Sequence, residues 1–135
     1  MLTGPAIADR LRAAGLRPTR QRLALGALVF GGACDRHVTA EELHGEAAAQ
    51  GTRVSLATVY NALNQFTAAG LLRQVLVGPG RLYFDTNLGD HHHFYIEDDG
   101  SLLDIPADKV SIARLPAAPA GMSVERVDVV VRVRR

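Results

Sequence analysis

Three consecutive histidines, His91 to His93, are the residues of this sequence with the clearest chemistry. On an extended segment alternate side chains point to the same side, so we expect His91 and His93 to converge and His92 to point elsewhere. Imidazole is a common ligand of zinc, iron and manganese, and also of haem iron. The run therefore predicts a metal or haem site, and the alternative is a solvent-exposed histidine run that binds nothing.

Carboxylates and one further histidine extend this set of possible ligands. Mixed imidazole and carboxylate donors suit divalent first-row metals. The histidine run lies at the junction of two halves of the chain, where a bound cation would fix their relative orientation. The additional candidates are Asp85 and Asp90 before the run, Glu97 and Asp104 after it, and His37 far upstream.

The residues before the histidines predict four helices followed by a hairpin. Thr39 and Glu42 form a capping box, and Ser55 is a good N-cap for the last helix. The turn Gly78-Pro79-Gly80 joins two short strands. The predicted helices cover 6–14, 17–30, 39–50 and 55–69, and the strands cover 72–77 and 81–85. Helices followed by a two-stranded hairpin are the layout of a winged helix.

The fourth helix has the composition of a helix that enters the DNA major groove. Its predicted buried face carries apolar residues at spacings of three and four: Leu56, Val59, Leu63 and Phe66. Its opposite face carries small and polar residues and no acid: Thr58, Asn61, Ala62 and Gln65, flanked by Ser55 and Tyr60. Thr and Ala can contact a thymine methyl group, and Asn or Gln can pair with adenine.

Basic residues accompany this helix in sequence. Residues 1–40 carry six arginines against two aspartates, whereas residues 86–121 have a net charge of −4, so the first part suits a polyanion. The alternative is an ordinary helical domain whose polar face contacts only water. The further candidates for DNA contact are Arg17, Thr19, Arg20 and Arg22 on the preceding helix, and Arg73 and Arg81 on the hairpin.

The second half predicts a small sheet. Short strands over 94–97 and 102–105 flank a turn, and a valine-rich strand covers 124–133. About 50 residues bury too little surface to be stable alone, so we expect this half to form a homodimer. The predicted fold class is α/β (α+β), with a winged-helix DNA-binding domain over 1–86 and a small α/β dimerisation domain over 87–135.

Several classes of protein are disfavoured. The chain has one cysteine, no run of 18 apolar residues and no secretory signal pattern, so we expect a cytoplasmic protein with no disulfide and no membrane partner. It lacks HExxH, a nucleophile elbow and a glycine-rich phosphate loop, so we expect no enzyme. The alternatives are a histidine-dependent metal hydrolase and a winged helix that binds protein.

At these residues the chain resembles the ferric uptake regulator (Fur) family, and most closely its iron response regulator branch. The resemblance covers nearly the whole chain from Leu11 onward. It implies a homodimeric repressor or activator that binds promoter DNA of iron- or haem-related genes, with a Zn, Mn or peroxide sensor as the alternative. The matching segments are GLRPTRQR, HVTAEELH, VSLATVYNALNQFTAAGLLRQV, LYFDTN, HHHFYIEDDGSLLDIP and VDVVVRVRR.

The resemblance also implies roles for individual residues. The regulatory site for iron, manganese or zinc, which the family places between its domains, is matched by His37, Asp85, His91, His93 and Asp104. The haem motif of the branch, through which haem relieves DNA binding, is matched by His91, His92 and His93. The DNA-contacting segment is matched by Thr58, Tyr60 and Asn61, and the minor-groove residue by Arg17.

Two features depart from the family pattern. Ile96 and Asp99 stand where the structural zinc site has Cys-x-x-Cys, so we expect no four-cysteine zinc site. Cys34 is followed by Asp35 and not by the proline of the N-terminal haem motif. We therefore expect Cys34 to be a small buried or half-buried thiol that does not ligate haem.

Overall fold

The computed structural model describes residues 4–135, and the chain divides into two compact units at Leu88/Gly89, two residues after the expected boundary. Among the described residues, the helices of the first unit are α1 (Gly4–Ala13), α2 (Arg20–Phe30), α3 (Ala40–Ala49) and α4 (Leu56–Ala68). Its strands are β1 (His37–Val38), β2 (Arg73–Gly78) and β3 (Arg81–Asp85), in an antiparallel sheet of order β1-β3-β2. This is the predicted winged helix.

No helix in the described part of the chain is long and apolar enough to cross a membrane.

Hydroxyl caps fix where three of these helices begin. A Ser or Thr cap typically stabilises a helix by about 1 kcal/mol. Thr19 caps α2, so that helix begins at Arg20 and not at the predicted Arg17-Pro18. The capping oxygens accept backbone N–H groups three residues on: Thr19 from Arg22 at 3.3 Å, Thr39 from Glu42 at 3.1 Å, and Ser55 from Thr58 at 3.0 Å.

The core of the first unit forms around the apolar side of α4. Val59, Leu63 and Phe66 are fully buried, and the Phe66 ring lies 5.5 Å from that of Phe30 on α2. Ala62 is buried and Leu56 is 37% exposed, so both differ from the prediction. At 3.6 residues per turn, positions 59, 62, 63 and 66 form one continuous stripe, and position 56 begins the helix beyond the core. Cys34, which was expected to be buried or half-buried, is exposed because it lies in the loop after α2.

Arg36 links β1 to its neighbours. Its guanidinium pairs with Glu46 of α3 at 2.7 Å and donates to the Leu28 carbonyl of α2 at 3.1 Å. Its backbone N–H donates to Thr86 Oγ1 at 2.9 Å, just after β3. The hydrogen bond between Arg36 and Glu46 raises the pKa of Arg36 and lowers that of Glu46. These contacts, which we term the Arg36 strap, fix His37 beside the end of β3.

The second unit is a three-stranded sheet of order β5-β4-β6, formed by β4 (His91–Ile96), β5 (Ser101–Pro106) and β6 (Val130–Val133). Strand β4 pairs antiparallel with β5 and parallel with β6. The predicted strand 124–133 is wrong in length: β6 begins at Val130, and the N–H of Val129 just before it is donated to the side chain of His92. The mixed α/β class is as predicted.

Replacing Glu46 with glutamine tests the Arg36 strap. Because the pKa of Glu46 is lowered on folding, its contribution to stability is complete above its unfolded-state pKa and is lost as the pH falls through its folded-state pKa. The pair is partly exposed, so we expect Glu46→Gln to reduce the free energy of unfolding by at most about 1 kcal/mol at neutral pH. Urea unfolding of the metal-free protein should show this difference shrinking in acidic buffers.

The matched control is Glu125→Gln, at an exposed glutamate of the second unit. It should leave the free energy of unfolding unchanged across the same pH series. A Glu46→Gln difference that persists in acid would show that the ion pair is not what Glu46 contributes.

Candidate metal centre and nucleic-acid interface

Asp85, the last residue of β3, has a completely buried carboxylate. Strand register places His37 of β1 opposite it, with His37 Nε2 3.6 Å from Asp85 Oδ2. The backbone N–H of Asn87 donates to Asp85 Oδ1 at 2.9 Å. Burial of a carboxylate is costly without such partners. The first unit therefore offers one imidazole nitrogen and one oriented carboxylate as possible ligands, which we term the His37/Asp85 pair.

The second unit contributes a separate set of donors, which we term the β4 set. His91 and His93 lie on the same side of β4, are 5% and 2% exposed, and have ring centroids 4.6 Å apart. Asp104 of β5 lies opposite His93, and its Oδ1 is 3.7 Å from His91 Nε2 and 3.5 Å from His93 Nε2. The alternation expected of an extended histidine run is present.

Local hydrogen bonds orient the rings of His91 and His92. His91 Nδ1 is hydrogen-bonded to the Gly89 carbonyl, which can only accept, so Nδ1 is the donor in this bond and Nε2 is the nitrogen that faces Asp104. His92 points away from the β4 set, and its Nδ1 accepts the Val129 N–H at 3.1 Å.

The donor spacing fits a divalent metal. The nitrogen-to-oxygen distances of 3.5–3.7 Å exceed those of an ordinary hydrogen bond. Ligands bound to one ion at about 2.1 Å each in tetrahedral geometry lie about 3.4 Å apart. Imidazole with carboxylate suits iron, manganese and zinc. Of the other acids near the run, Glu97 pairs with Arg132 at 3.6 Å, and Asp90 is exposed.

The candidate DNA-contacting residues all lie in the first unit, and most are accessible. Thr58 and Tyr60 are half-buried on α4. The Ser55 hydroxyl is engaged in the helix cap, 2.9 Å from the Thr58 hydroxyl. The exposed candidates are Arg17, Thr19 and Arg20 near the start of α2, Ser55 and Asn61 at α4, and Arg81 on the hairpin.

Arg73 is the exception among these candidates. It is 6% exposed, and its position on β2 pairs with Asp85 of β3. Residues of β2 alternate between buried and exposed, so Arg73 shares the buried side with Val75 and Val77. The hairpin therefore presents Arg81 and not Arg73 for phosphate contact, which corrects the expectation. The alternation of side chains along a strand is the sequence signal that indicates the burial of Arg73.

Two polar contacts to α4 have no counterpart in the sequence patterns. The Tyr60 phenol donates to Glu41 Oε1 of α3 at 2.8 Å, and this hydrogen bond raises the pKa of Tyr60. The flank of α4 is therefore not free of acids, although the helix itself contains none. Arg22 of α2 contacts Gln65 of α4. Neither contact has a sequence signal, because each joins helices that are distant along the chain.

Comparison with known proteins agrees with this architecture. Residues 13–132 match the model of the ferric uptake regulator family. The peroxide-responsive repressor PerR of Staphylococcus aureus is 33% identical over 94 residues, which cover 70% of this chain. The match spans 62% of that repressor's length.

Solved structures give the same result. The ferric uptake regulator of Pseudomonas aeruginosa, determined with manganese, is 26% identical with a TM-score of 0.67, over 94% of this chain and 96% of that one. The Vibrio cholerae ferric uptake regulator has the same fold, with 24% identity and a TM-score of 0.72, over 95% of this chain and 98% of that one. The predicted fold class is confirmed, and the family match over residues 13–132 shows that this chain belongs to the ferric uptake regulator family.

Proposed function

We propose that this chain is a homodimeric DNA-binding transcriptional regulator whose affinity for promoter DNA depends on a divalent metal. The observation that carries the proposal is the burial of metal-compatible donors in a winged-helix protein of this family: Asp85, His91 and His93 are at most 5% exposed. Buried ionisable side chains are costly, so donors kept buried at ligand spacing favour a metal-binding role.

The surface of α4 supports DNA binding. Asn61 is exposed, and Thr58 precedes it by three residues on the same side of the helix. Asparagine can pair with adenine, and a threonine methyl group can contact thymine. Arg17 and Arg20 lie before and at the start of α2, and Arg81 lies on the hairpin, where each is exposed to meet phosphates.

The donors support metal regulation of that surface. We assign His37, Asp85, His91, His93 and Asp104 as metal ligands on their chemistry and on the spacing within each unit. In the first unit, a metal held by the His37/Asp85 pair would fix β1 to β3 two residues before Thr39, the cap of α3. Because Glu41 of α3 holds Tyr60, this is a physical route from a ligand to α4.

The sheet of the second unit supports dimerisation. Phe94 is paired in register with Leu103 of β5 and Val131 of β6, so the three form an apolar row across one face. They remain 37%, 53% and 37% exposed. A unit this small gains stability by covering such a row with a second copy.

The effector we propose is iron, and haem is a second candidate. His91 and His93 are buried, whereas His92 is half-buried with Nδ1 bonded to the Val129 N–H, so Nε2 is the nitrogen through which His92 would bind haem iron. Haem titration should therefore shift the Soret band for the parent protein and not for His92→Ala.

Zinc, manganese or peroxide sensing is the alternative, and PerR of S. aureus is peroxide-responsive. Affinities for Fe(II), Mn(II) and Zn(II), with a peroxide challenge of the Fe(II) form, distinguish these effectors.

Replacing His93 with alanine tests the metal site. Removal of one ligand should weaken Mn(II) binding at least tenfold, because the remaining donors no longer complete the coordination. Isothermal titration calorimetry measures this affinity. The control is the replacement His44→Ala on α3. In the parent protein, Nε2 of His44 lies 3.0 Å from the carbonyl oxygen of Val54, outside the β4 set. If both variants bind Mn(II) like the parent, the β4 set is not the site.

Replacing Asn61 with alanine tests the DNA surface. The probe is a duplex selected by the Mn(II)-loaded protein from a random pool. Loss of one base contact should cost about 1–3 kcal/mol and relax the base preference at one position. The control is Asn64→Ala on the same helix, because Asn64 accepts from Gln74 at 3.2 Å instead. Unchanged affinity and preference in Asn61→Ala would remove Asn61 from the interface.

Replacing Leu103 with glutamate tests the dimer. A charge in the apolar row should dissociate the protein into monomers, since covering it would desolvate a carboxylate. Sedimentation velocity measures the change. Leu76→Glu, at a 69% exposed leucine of the hairpin, is the matched control and should remain dimeric. A Leu103→Glu dimer as stable as the parent's would show that the interface lies elsewhere.

A further inference from the structure

One guanidinium, that of Arg22 on α2, joins two segments of the first unit. Its Nε and Nη2 donate to Gln65 Oε1 on α4 at 3.3 and 2.8 Å. Its Nη1 donates to the backbone carbonyl of Arg17 at 3.0 Å. The group therefore connects the segment that precedes α2 to the exposed side of α4, and we term these contacts the Arg22 clamp.

The clamp lies beside the residues proposed to contact bases. Gln65 follows Asn61 by four residues on α4, and Arg22 shares a surface cleft with Asn61 and Thr58. Arg17, whose carbonyl the clamp holds, is one of the residues proposed to contact phosphates. A displacement of either end of the clamp would therefore move one proposed DNA contact relative to another.

The clamp also changes the role of Gln65. A glutamine pairs with adenine by accepting from the N6 amino group through its carbonyl oxygen while its amide nitrogen donates to N7. Two N–H groups on one edge of the Arg22 guanidinium point at that oxygen. With the clamp formed, Gln65 Oε1 is engaged with Arg22, so we expect Gln65 to hold Arg22 in place.

The planar fork is the property that this arrangement requires. Arginine presents five N–H donors in fixed directions, and three of them make the clamp. Lysine keeps the positive charge but is a point charge on a flexible stem, so its donors do not hold the two acceptors in fixed directions. Charge and positioning can therefore be separated by one substitution.

We propose that Arg22 is a positioning residue for DNA recognition: it holds the Arg17 segment and α4 at a fixed separation, so that their contacts with the same duplex are made together. This inference rests on the proposed DNA-binding function. It assigns to Arg22 a contribution to sequence preference that does not depend on a phosphate contact of its own.

Arg22→Lys and Gln65→Met test the clamp in the full-length, Mn(II)-loaded protein. The probes are a duplex selected from a random pool and a scrambled duplex of the same composition. Each variant should bind the selected duplex about tenfold more weakly and the scrambled duplex nearly as the parent does, because the loss is of orientation. The dependence of affinity on salt should stay unchanged, and the double variant should be no weaker than either single variant.

Arg12→Lys is the control, because Arg12 is an exposed arginine of α1 that pairs only locally with Asp9 among its described contacts. Urea unfolding confirms that each variant is folded. Parent-like binding by Arg22→Lys, or by Gln65→Met, overturns the clamp as a positioning device. A random pool from which the parent enriches no duplex overturns the proposed function itself, and that result is independent of Arg22.

Discussion

The burial of the Asp85 carboxylate is the constraint on which the first unit depends. A fully buried carboxylate must be compensated, and the chain achieves this at the end of β3 with the Asn87 N–H and with His37 in register on β1. Strand β1 is only two residues long, so its placement relies on the Arg36 strap. A short, strapped strand beside a buried acid is an arrangement on which a bound cation would have a large effect.

The α4 surface depends on the same framework through ordinary packing. Its apolar stripe, centred on Phe66, fixes the helix on the core, and the Ser55 cap fixes where it begins. Polar contacts from neighbouring helices then orient individual side chains, as Glu41 does for Tyr60 and Arg22 for Gln65. The helix supplies the proposed base-contacting groups, whereas α2 and α3 determine how they are presented.

Local patterns in the sequence predicted most of these elements. The caps at Thr39 and Ser55, the hairpin and the alternation of His91 and His93 each depend on residues close together in the chain. What failed involved distant partners: β6 begins only at Val130, and the N–H of Val129 before it is donated to the side chain of His92. Arg73 is a different case. The period of two along the strand indicates that Arg73 lies on the buried side, but its positive charge favoured the prediction of an exposed DNA contact.

In the proposed function, a divalent metal controls the affinity for DNA. The direct test is to measure the fluorescence anisotropy of the selected duplex with the parent protein as free Mn(II) is raised from a chelated baseline. We predict that DNA affinity rises at least tenfold over the range of Mn(II) concentration in which calorimetry shows the metal site being filled, and that it returns to baseline with chelator. DNA affinity that is the same with and without metal, for a protein that binds both, would contradict it.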